Sequence, residues 1–156
     1  MLKKTTLAAC AALMSISFMA PAAFANDEGE IKYRKSVMKS VGGHMGAIAG
    51  IMKSETVNTA HLQLHADGLA TLSAIAGDLF PANSDMGADT TVLPAVWEKP
   101  EDFAKAIKQF QDAATGFSVA VKTGDMAQTG AAMGKLGEAC KNCHENFREK
   151  KEEMKK

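Results

Sequence analysis

Cysteine is scarce in this chain, and so are long apolar runs. Three cysteines occur among 156 residues; Cys10 lies in an apolar N-terminal segment, far from Cys140 and Cys143. A structural zinc site needs four ligands, so the lack of a second cysteine pair argues against one. After the N-terminal segment no apolar run approaches the ~20 residues of a membrane span. No strand pattern or internal repeat stands out. The sequence therefore predicts neither a zinc domain nor membrane insertion.

The first 25 residues have the parts of a secretory signal. Lys3 and Lys4 provide a positive start, residues 7–20 are apolar, and Ala23-Phe24-Ala25 fits a cleavage site. Cleavage would leave 156 − 25 = 131 residues, with 18 − 2 = 16 basic and 18 acidic side chains. We expect a signal peptide at 1–25 and a single domain at 26–156. The nearly balanced charge gives no indication of nucleic-acid binding.

A C-x-x-C-H motif, Cys140-Lys141-Asn142-Cys143-His144, stands near the C-terminus. This motif is the attachment signature of a c-type haem, in which two thiols bond to the porphyrin and the imidazole binds the iron. A thioredoxin-like pair would lie beside a strand, and a structural disulfide would leave His144 unexplained. We therefore expect one covalently attached haem c. Because such haem is attached outside the bacterial cytoplasm, we expect a periplasmic protein.

The rest of the chain carries apolar residues at the three-four spacing of bundled helices. The four segments run from Ile31 to Met52, Leu62 to Leu79, Phe103 to Val121 and Met126 to Phe147. Pro81, Pro94 and Pro100 punctuate one long connection, and a short turn at Gly124-Asp125 separates the last two segments. The pattern predicts an all-α fold, an antiparallel up-down-up-down four-helix bundle, with the fourth helix ending near Met154.

Depth along the bundle selects Met38 as the candidate distal ligand. If the first helix begins near Glu28 and the last ends near Met154, Met38 and His144 each lie ten residues from the same end, or ~15 Å. Met45 would then lie ~10 Å deeper. The alternative is that Met38, Met45 and Met52 are pliable core packing at helical spacing.

Two arginines complete the set of candidate haem-binding residues. Arg34 occupies a position of the apolar seam, where a buried guanidinium needs an anion, and a haem propionate is available. The alternative is a side chain that extends out of the end of the bundle to solvent. Arg148 lies four residues after His144 and so shares its helix face, although it can equally be a solvated charge.

These features resemble cytochrome c prime and its relatives, the class II c-type cytochromes. The resemblance covers about residues 31–150 and rests on Tyr33-Arg34-Lys35-Ser36-Val37-Met38, the stretch 140–148 and Pro94-Ala95-Val96-Trp97. It implies that Met38 faces the distal side of the haem. High-spin members of the family have an apolar non-ligand there, whereas low-spin members have methionine. The resemblance also implies a propionate partner for Arg34, and it makes a homodimer through the first two helices one option.

These observations predict a non-enzymatic periplasmic electron carrier with a six-coordinate haem bound by His144 and Met38. Transient redox partner proteins would exchange electrons with it. The alternative is a five-coordinate cytochrome c prime that binds nitric oxide or carbon monoxide. A peroxidase-like enzyme would need a distal acid-base group, and no histidine or carboxylate on the seam is level with Met38.

Overall fold

The computed structural model describes residues 27–54, 59–82, 84–85 and 90–150. The predicted signal peptide and its cleavage site lie outside these residues, as does Met154. The described chain is helical, and its one extended contact is an isolated antiparallel bridge between Val92 and Arg148. The helices are α1 (Asp27–Lys53), α2 (His61–Ala74), α3 (Ala95–Glu98), α4 (Pro100–Lys122) and α5 (Met126–Phe147), with a 3-10 turn at Gly77–Leu79.

Four long helices form the predicted bundle. Helix α1 packs on α2, α2 on α4, and α4 on α5. The fully buried Leu69, Phe117 and Leu136 lie in the core that these helices share. Within the described residues, no helix is both long enough and apolar enough to cross a membrane.

The ends of α4 and α5 follow from local chemistry. Pro100 occupies the first turn of α4, where its missing N–H costs nothing. Gly124 adopts φ +72°, a left-handed conformation that favours glycine, and so reverses the chain after α4. The Asp125 carboxylate then accepts hydrogen bonds from the N–H groups of Ala127 (2.8 Å) and Gln128 (3.1 Å), which caps α5.

The fourth bundle helix ends earlier than predicted. Helix α5 ends at Phe147, and Arg148 takes an extended conformation (φ −133°, ψ 141°). The N–H of Leu93 donates to the Phe147 carbonyl (3.0 Å), and that of Glu149 donates to the Thr91 carbonyl (2.8 Å). The last helical hydrogen bond runs from the Arg148 N–H to the His144 carbonyl (3.2 Å), and the chain beyond it pairs with the long connection instead.

The sequence predicts a buried seam on α1 that includes Met38 and Met52, and the buried side of the helix is rotated by about one residue from it. Val37 and Ile51 are buried, whereas Met38 and Met52 are only half-buried. Ile31, Arg34, Val41 and Ile48 lie inside as predicted. Of these two methionines, Met38 lines the cavity described below and Met52 packs against the core.

Two histidines join α1 to α2. The Nδ1 atoms of His44 and His65 lie 3.0 Å apart, so one ring donates and the other accepts. A Cβ at Gly68 would lie 2.6 Å from the His44 ring, so glycine allows the two helices to approach here. The two partners lie 21 positions apart, so the spacing of apolar residues along the chain does not reveal this pairing. His61 is exposed.

Candidate haem site

A cavity of about 620 Å³ opens between α1 and α5. The side chains of Cys140, Cys143 and His144 line it from α5, and Met38 and Met45 line it from α1. Apolar side chains form much of the remaining wall: Val41, Ala76, Phe80, Val92, Phe103, Ile107, Phe110 and Phe147. A large apolar cavity with thiols and an imidazole on one helix face has the donor set that a covalently attached haem requires. The residues present therefore fit a haem.

Both thiols on α5 are free and half-buried. Burial, and then the neighbouring Cys140 thiol, raise the pKa of Cys143 to about 11, while Arg148 acts in the opposite direction. Burial also raises the pKa of Cys140. Both groups are therefore protonated at neutral pH, so the two cysteines do not act as a low-pKa redox pair. Among the described residues no three His, Cys, Asp or Glu side chains form a metal-binding group.

His144 lines the cavity and is an exposed residue. Neighbouring protein atoms nevertheless desolvate the ring and lower its pKa, and the Arg148 cation lowers it further. A lowered pKa keeps the imidazole neutral at neutral pH, which is the form that binds a metal.

Met38 lines the same cavity as His144, on the opposite helix. The depth argument anticipated this placement, although its premise that the last helix reaches Met154 was wrong. Met45 also faces the cavity, so depth alone does not separate the two methionines. Both methionines are half-buried, and Met45 also packs against the core cluster.

Basic side chains surround the cavity. Lys35 and Lys39 lie on the α1 side and Arg148 on the α5 side. Arg148 is half-buried, and its charge acts on both Cys143 and His144. These cations suit the carboxylates of a haem, although no contact tests the predicted role of Arg148.

Arg34 is buried, with 2% of its surface exposed, so the guanidinium does not extend to solvent. Its Nη1 donates to the Leu79 carbonyl (3.2 Å) and to Ser84 Oγ (2.8 Å). Its Nη2 donates to the Ser84 carbonyl (2.9 Å) and to Thr90 Oγ1 (3.2 Å). These bonds use all four N–H groups of the two terminal nitrogens. A bond from Arg34 to a haem propionate stays a prediction, because the described partners of the two terminal nitrogens all belong to the long connection.

Comparison with known proteins gives relatives along most of the chain. A cytochrome c' from Pararhodospirillum photometricum is 35% identical over 125 residues, which is 80% of this chain and all of the relative. One similar solved structure is a nitric oxide complex of a variant of cytochrome c prime from Alcaligenes xylosoxidans, with 30% identity and a TM-score of 0.73. That alignment covers 81% of this chain and 99% of the other.

A second solved structure is a cytochrome c' with an unusual ligand-controlled dimer dissociation. It is 29% identical to this chain, with a TM-score of 0.75, and the alignment covers 80% of this chain and 97% of the other.

These findings overturn the predicted electron carrier with a six-coordinate His/Met haem. Several of the relatives are cytochromes c', and a variant of one of them has been solved with nitric oxide bound, which favours the five-coordinate, gas-binding alternative. The prediction inferred a bond from the shared depth of Met38 and His144 and from the methionine that low-spin members of the family have at this position, and neither observation establishes a bond. Two residues that line one cavity can lie on either side of a haem without both reaching its iron.

The whole bundle falls within one family. The sequence model described as Cytochrome C' matches residues 29–148, which include α1 from its first turn, the long connection and all of α5. The structural neighbours share the four-helix architecture. This chain therefore belongs to the cytochrome c' family, and it carries one covalently attached haem c.

Proposed function

We propose that this protein binds nitric oxide or carbon monoxide at a five-coordinate haem. The observation that carries the proposal is the cavity, which has two thiols and one imidazole on the α5 side and two half-buried methionines among the α1 residues that face them. The nitric oxide complex of the related Alcaligenes xylosoxidans protein supports the same reading. Haem iron, when bound, supplies one open coordination position to such a gas.

The residues of α5 would hold the cofactor on its proximal side. Cys140 and Cys143 would form the two thioether links, and His144 would be the one protein ligand of the iron. The spacing of these residues places all three side chains on one helix face, and all three line the cavity. Arg148, and to a lesser extent Arg34 through Nε, would interact electrostatically with the haem carboxylates.

Met38 would form part of the distal wall without binding the iron. A thioether there is apolar, flexible and polarizable, so it can move aside when a small ligand enters. The distal side would therefore select small uncharged gases, because an incoming ligand must displace an apolar side chain and meets no distal histidine or carboxylate. Among the described residues the cavity lining includes no carboxylate, and its one histidine is His144.

A Met38→Ala variant tests this arrangement. We expect carbon monoxide to bind the reduced wild type, and to bind the variant at least severalfold faster, because the wall that the gas must displace is gone. The measurement is stopped-flow mixing of reduced holoprotein with carbon monoxide, followed by the change in visible absorption. Met45→Ala is the matched control, since Met45 lines the same cavity two turns further along α1, ~10 Å away.

The same experiment can contradict the proposal. If the wild type does not react and Met38→Ala binds the gas readily, then Met38 occupies the coordination position and the haem is not five-coordinate. Equal acceleration by Met38→Ala and Met45→Ala would mean that Met38 has no special place on the distal side.

A homodimer through α1 and α2 is a further proposal. Gly43, Gly46 and Gly50 face open space on α1, and Leu64 of α2 is 64% exposed. Glycines permit close approach of another helix, and an exposed leucine would be covered by it. The related protein with ligand-controlled dimer dissociation supports an assembly that responds to a ligand. Sedimentation of the reduced protein with and without carbon monoxide tests this; a monomer in both states would refute it.

The remaining predictions concern the setting of the protein. A periplasmic location after cleavage at Ala25 follows from the signal pattern and from haem attachment outside the cytoplasm. We propose a binding protein rather than an enzyme. Transiently docked redox proteins would deliver the electron that carbon monoxide binding requires.

A further inference from the structure

Part of the long connection crosses one end of the cavity. We call its described residues 79–82, 84–85 and 90–93 the strap. Phe80, Thr90, Thr91 and Val92 of the strap line the cavity. The strap is also held internally, because the Trp97 indole N–H and the Ser84 hydroxyl both donate to the Pro81 carbonyl, at 3.1 and 2.9 Å.

The strap is attached to the helices on both sides of the cavity. On the α1 side, Arg34 makes four hydrogen bonds to Leu79, Ser84 and Thr90, and its guanidinium lies 5.1 Å from the centroid of the Phe80 ring. At the end of α5, the backbone bonds of Leu93 to Phe147 and of Glu149 to Thr91 hold the other edge of the strap. Adjacent residues, Thr90 and Thr91, thus contact opposite sides of the cavity.

Arg34 is the one charged group among these attachments. Hydrogen bonds to a charged group contribute more than neutral ones, and removal of the cation would leave the Leu79 and Ser84 carbonyls without this donor in a buried place. Burial lowers the pKa of Arg34, with Glu30 acting in the opposite direction, yet a guanidinium stays charged in a protein. The cation is therefore placed where its loss would release the α1 edge of the strap.

We propose that Arg34 is a positioning residue that holds the strap closed over one end of the haem cavity and thereby limits access to the distal side. This inference rests on the proposed gas-binding function for its effect on ligand entry. It differs from the propionate role because Arg34 acts on the pocket through Ser84, Thr90 and Phe80.

A double-mutant cycle on the holoprotein separates the two roles. Arg34→Lys keeps the charge but loses the paired geometry. Ser84→Ala removes one acceptor of Arg34, together with the bond from the Ser84 hydroxyl to the Pro81 carbonyl, at a residue that does not line the cavity. We expect both variants to speed hydrogen exchange of the Leu93 and Glu149 amides, Arg34→Lys by about tenfold or more and Ser84→Ala by less. Carbon monoxide association should rise in the same order.

The combined variant gives the sharpest result. If Arg34 acts through the strap, the double variant Arg34→Lys/Ser84→Ala should raise the exchange rates by less than the product of the two single effects. Both single substitutions disrupt the bond between Arg34 Nη1 and Ser84 Oγ, and that bond can be lost only once. Amides of the core, such as those of Phe117 and Leu136, serve as controls and should exchange as in the wild type.

Other outcomes overturn the inference. Arg34→Lys could shift the midpoint potential while hydrogen exchange at Leu93 and Glu149 stays unchanged and Ser84→Ala has no effect. That result would show that Arg34 binds a haem propionate and does not hold the strap. If the wild type binds no carbon monoxide, the proposed function fails, whereas the exchange measurements still decide whether Arg34 holds the strap.

Discussion

Three phenylalanine rings at the strap end of the cavity provide a quantitative test of the fold. The Phe103 ring lies between those of Phe80 and Phe147, at centroid distances of 4.8 and 5.2 Å and interplanar angles of 71° and 78°. Edge-to-face pairs of this kind contribute about 0.5–1.5 kcal/mol each beyond the area that they bury. Phe103→Leu keeps an apolar side chain but loses both ring contacts.

Phe110→Leu is the matched control. Phe110 also lies on α4 and lines the same cavity, and its exposure (7%) is close to that of Phe103 (8%). No ring pair involves Phe110 among the described residues. The losses of buried area and of cavity wall are therefore similar in the two variants. The free energy of unfolding should fall by about 1–3 kcal/mol more for Phe103→Leu than for Phe110→Leu, the sum of the two ring pairs.

Urea unfolding of the holoproteins, followed by far-UV circular dichroism, measures this difference. A cycle with Phe80→Leu should return a coupling of about 0.5–1.5 kcal/mol with Phe103→Leu. Equal destabilisation by Phe103→Leu and Phe110→Leu, or a coupling near zero, would show that the three rings do not pack as a stabilising unit.

Three further predictions concern stability and attachment. The Ser118 hydroxyl donates to the Asp67 carboxylate (2.5 Å) and is the largest cause of its lowered pKa, so Ser118→Ala should raise that pKa. A lowered pKa stabilises the fold above the ordinary value of 3.8, so the wild type should exceed the variant in free energy of unfolding by the full amount at about pH 6 and by less as the pH falls below 3.8. A difference in stability that does not change with pH would contradict this. Gly124→Ala should lower the free energy of unfolding by about 1–2 kcal/mol, because Gly124 has a positive φ. Gly134 also faces open space but is helical, so Gly134→Ala should raise the free energy of unfolding by about 0.5–1 kcal/mol. If urea unfolding shows both variants stabilised or both destabilised, the backbone argument is refuted. Cys143→Ala should retain haem through one thioether link. The absorption maximum of the reduced protein should shift to the red, because one vinyl group of the haem stays conjugated. An unshifted spectrum would show that Cys143 does not attach the haem.

Local sequence signals predicted much of the fold. Pro100 at the start of α4 and the Gly124-Asp125 turn before α5 depend on neighbours in sequence, so the sequence alone identified them. The C-x-x-C-H motif likewise placed two thiols and an imidazole on one helix face, and the structure brings that face to the cavity.

Features that depend on contacts between distant residues were not predictable. The end of α5 at Phe147 depends on pairing with residues 91–93, more than fifty positions earlier. The partners of Arg34 lie 45–56 positions away in an irregular connection, so a seam position indicated only that the cation needs an acceptor. The His44–His65 pair depends on how closely α1 approaches α2 at Gly68, which heptad spacing does not specify.

The visible spectrum of the purified wild-type holoprotein, oxidised and reduced, before and after addition of carbon monoxide, tests the open distal side most directly. We expect the broad bands of a high-spin, five-coordinate haem, and a prompt shift when the gas is added to the reduced protein. Sharp, split low-spin bands that the gas does not change, with a near-infrared sulfur-to-iron band in the oxidised form, would contradict the proposed function.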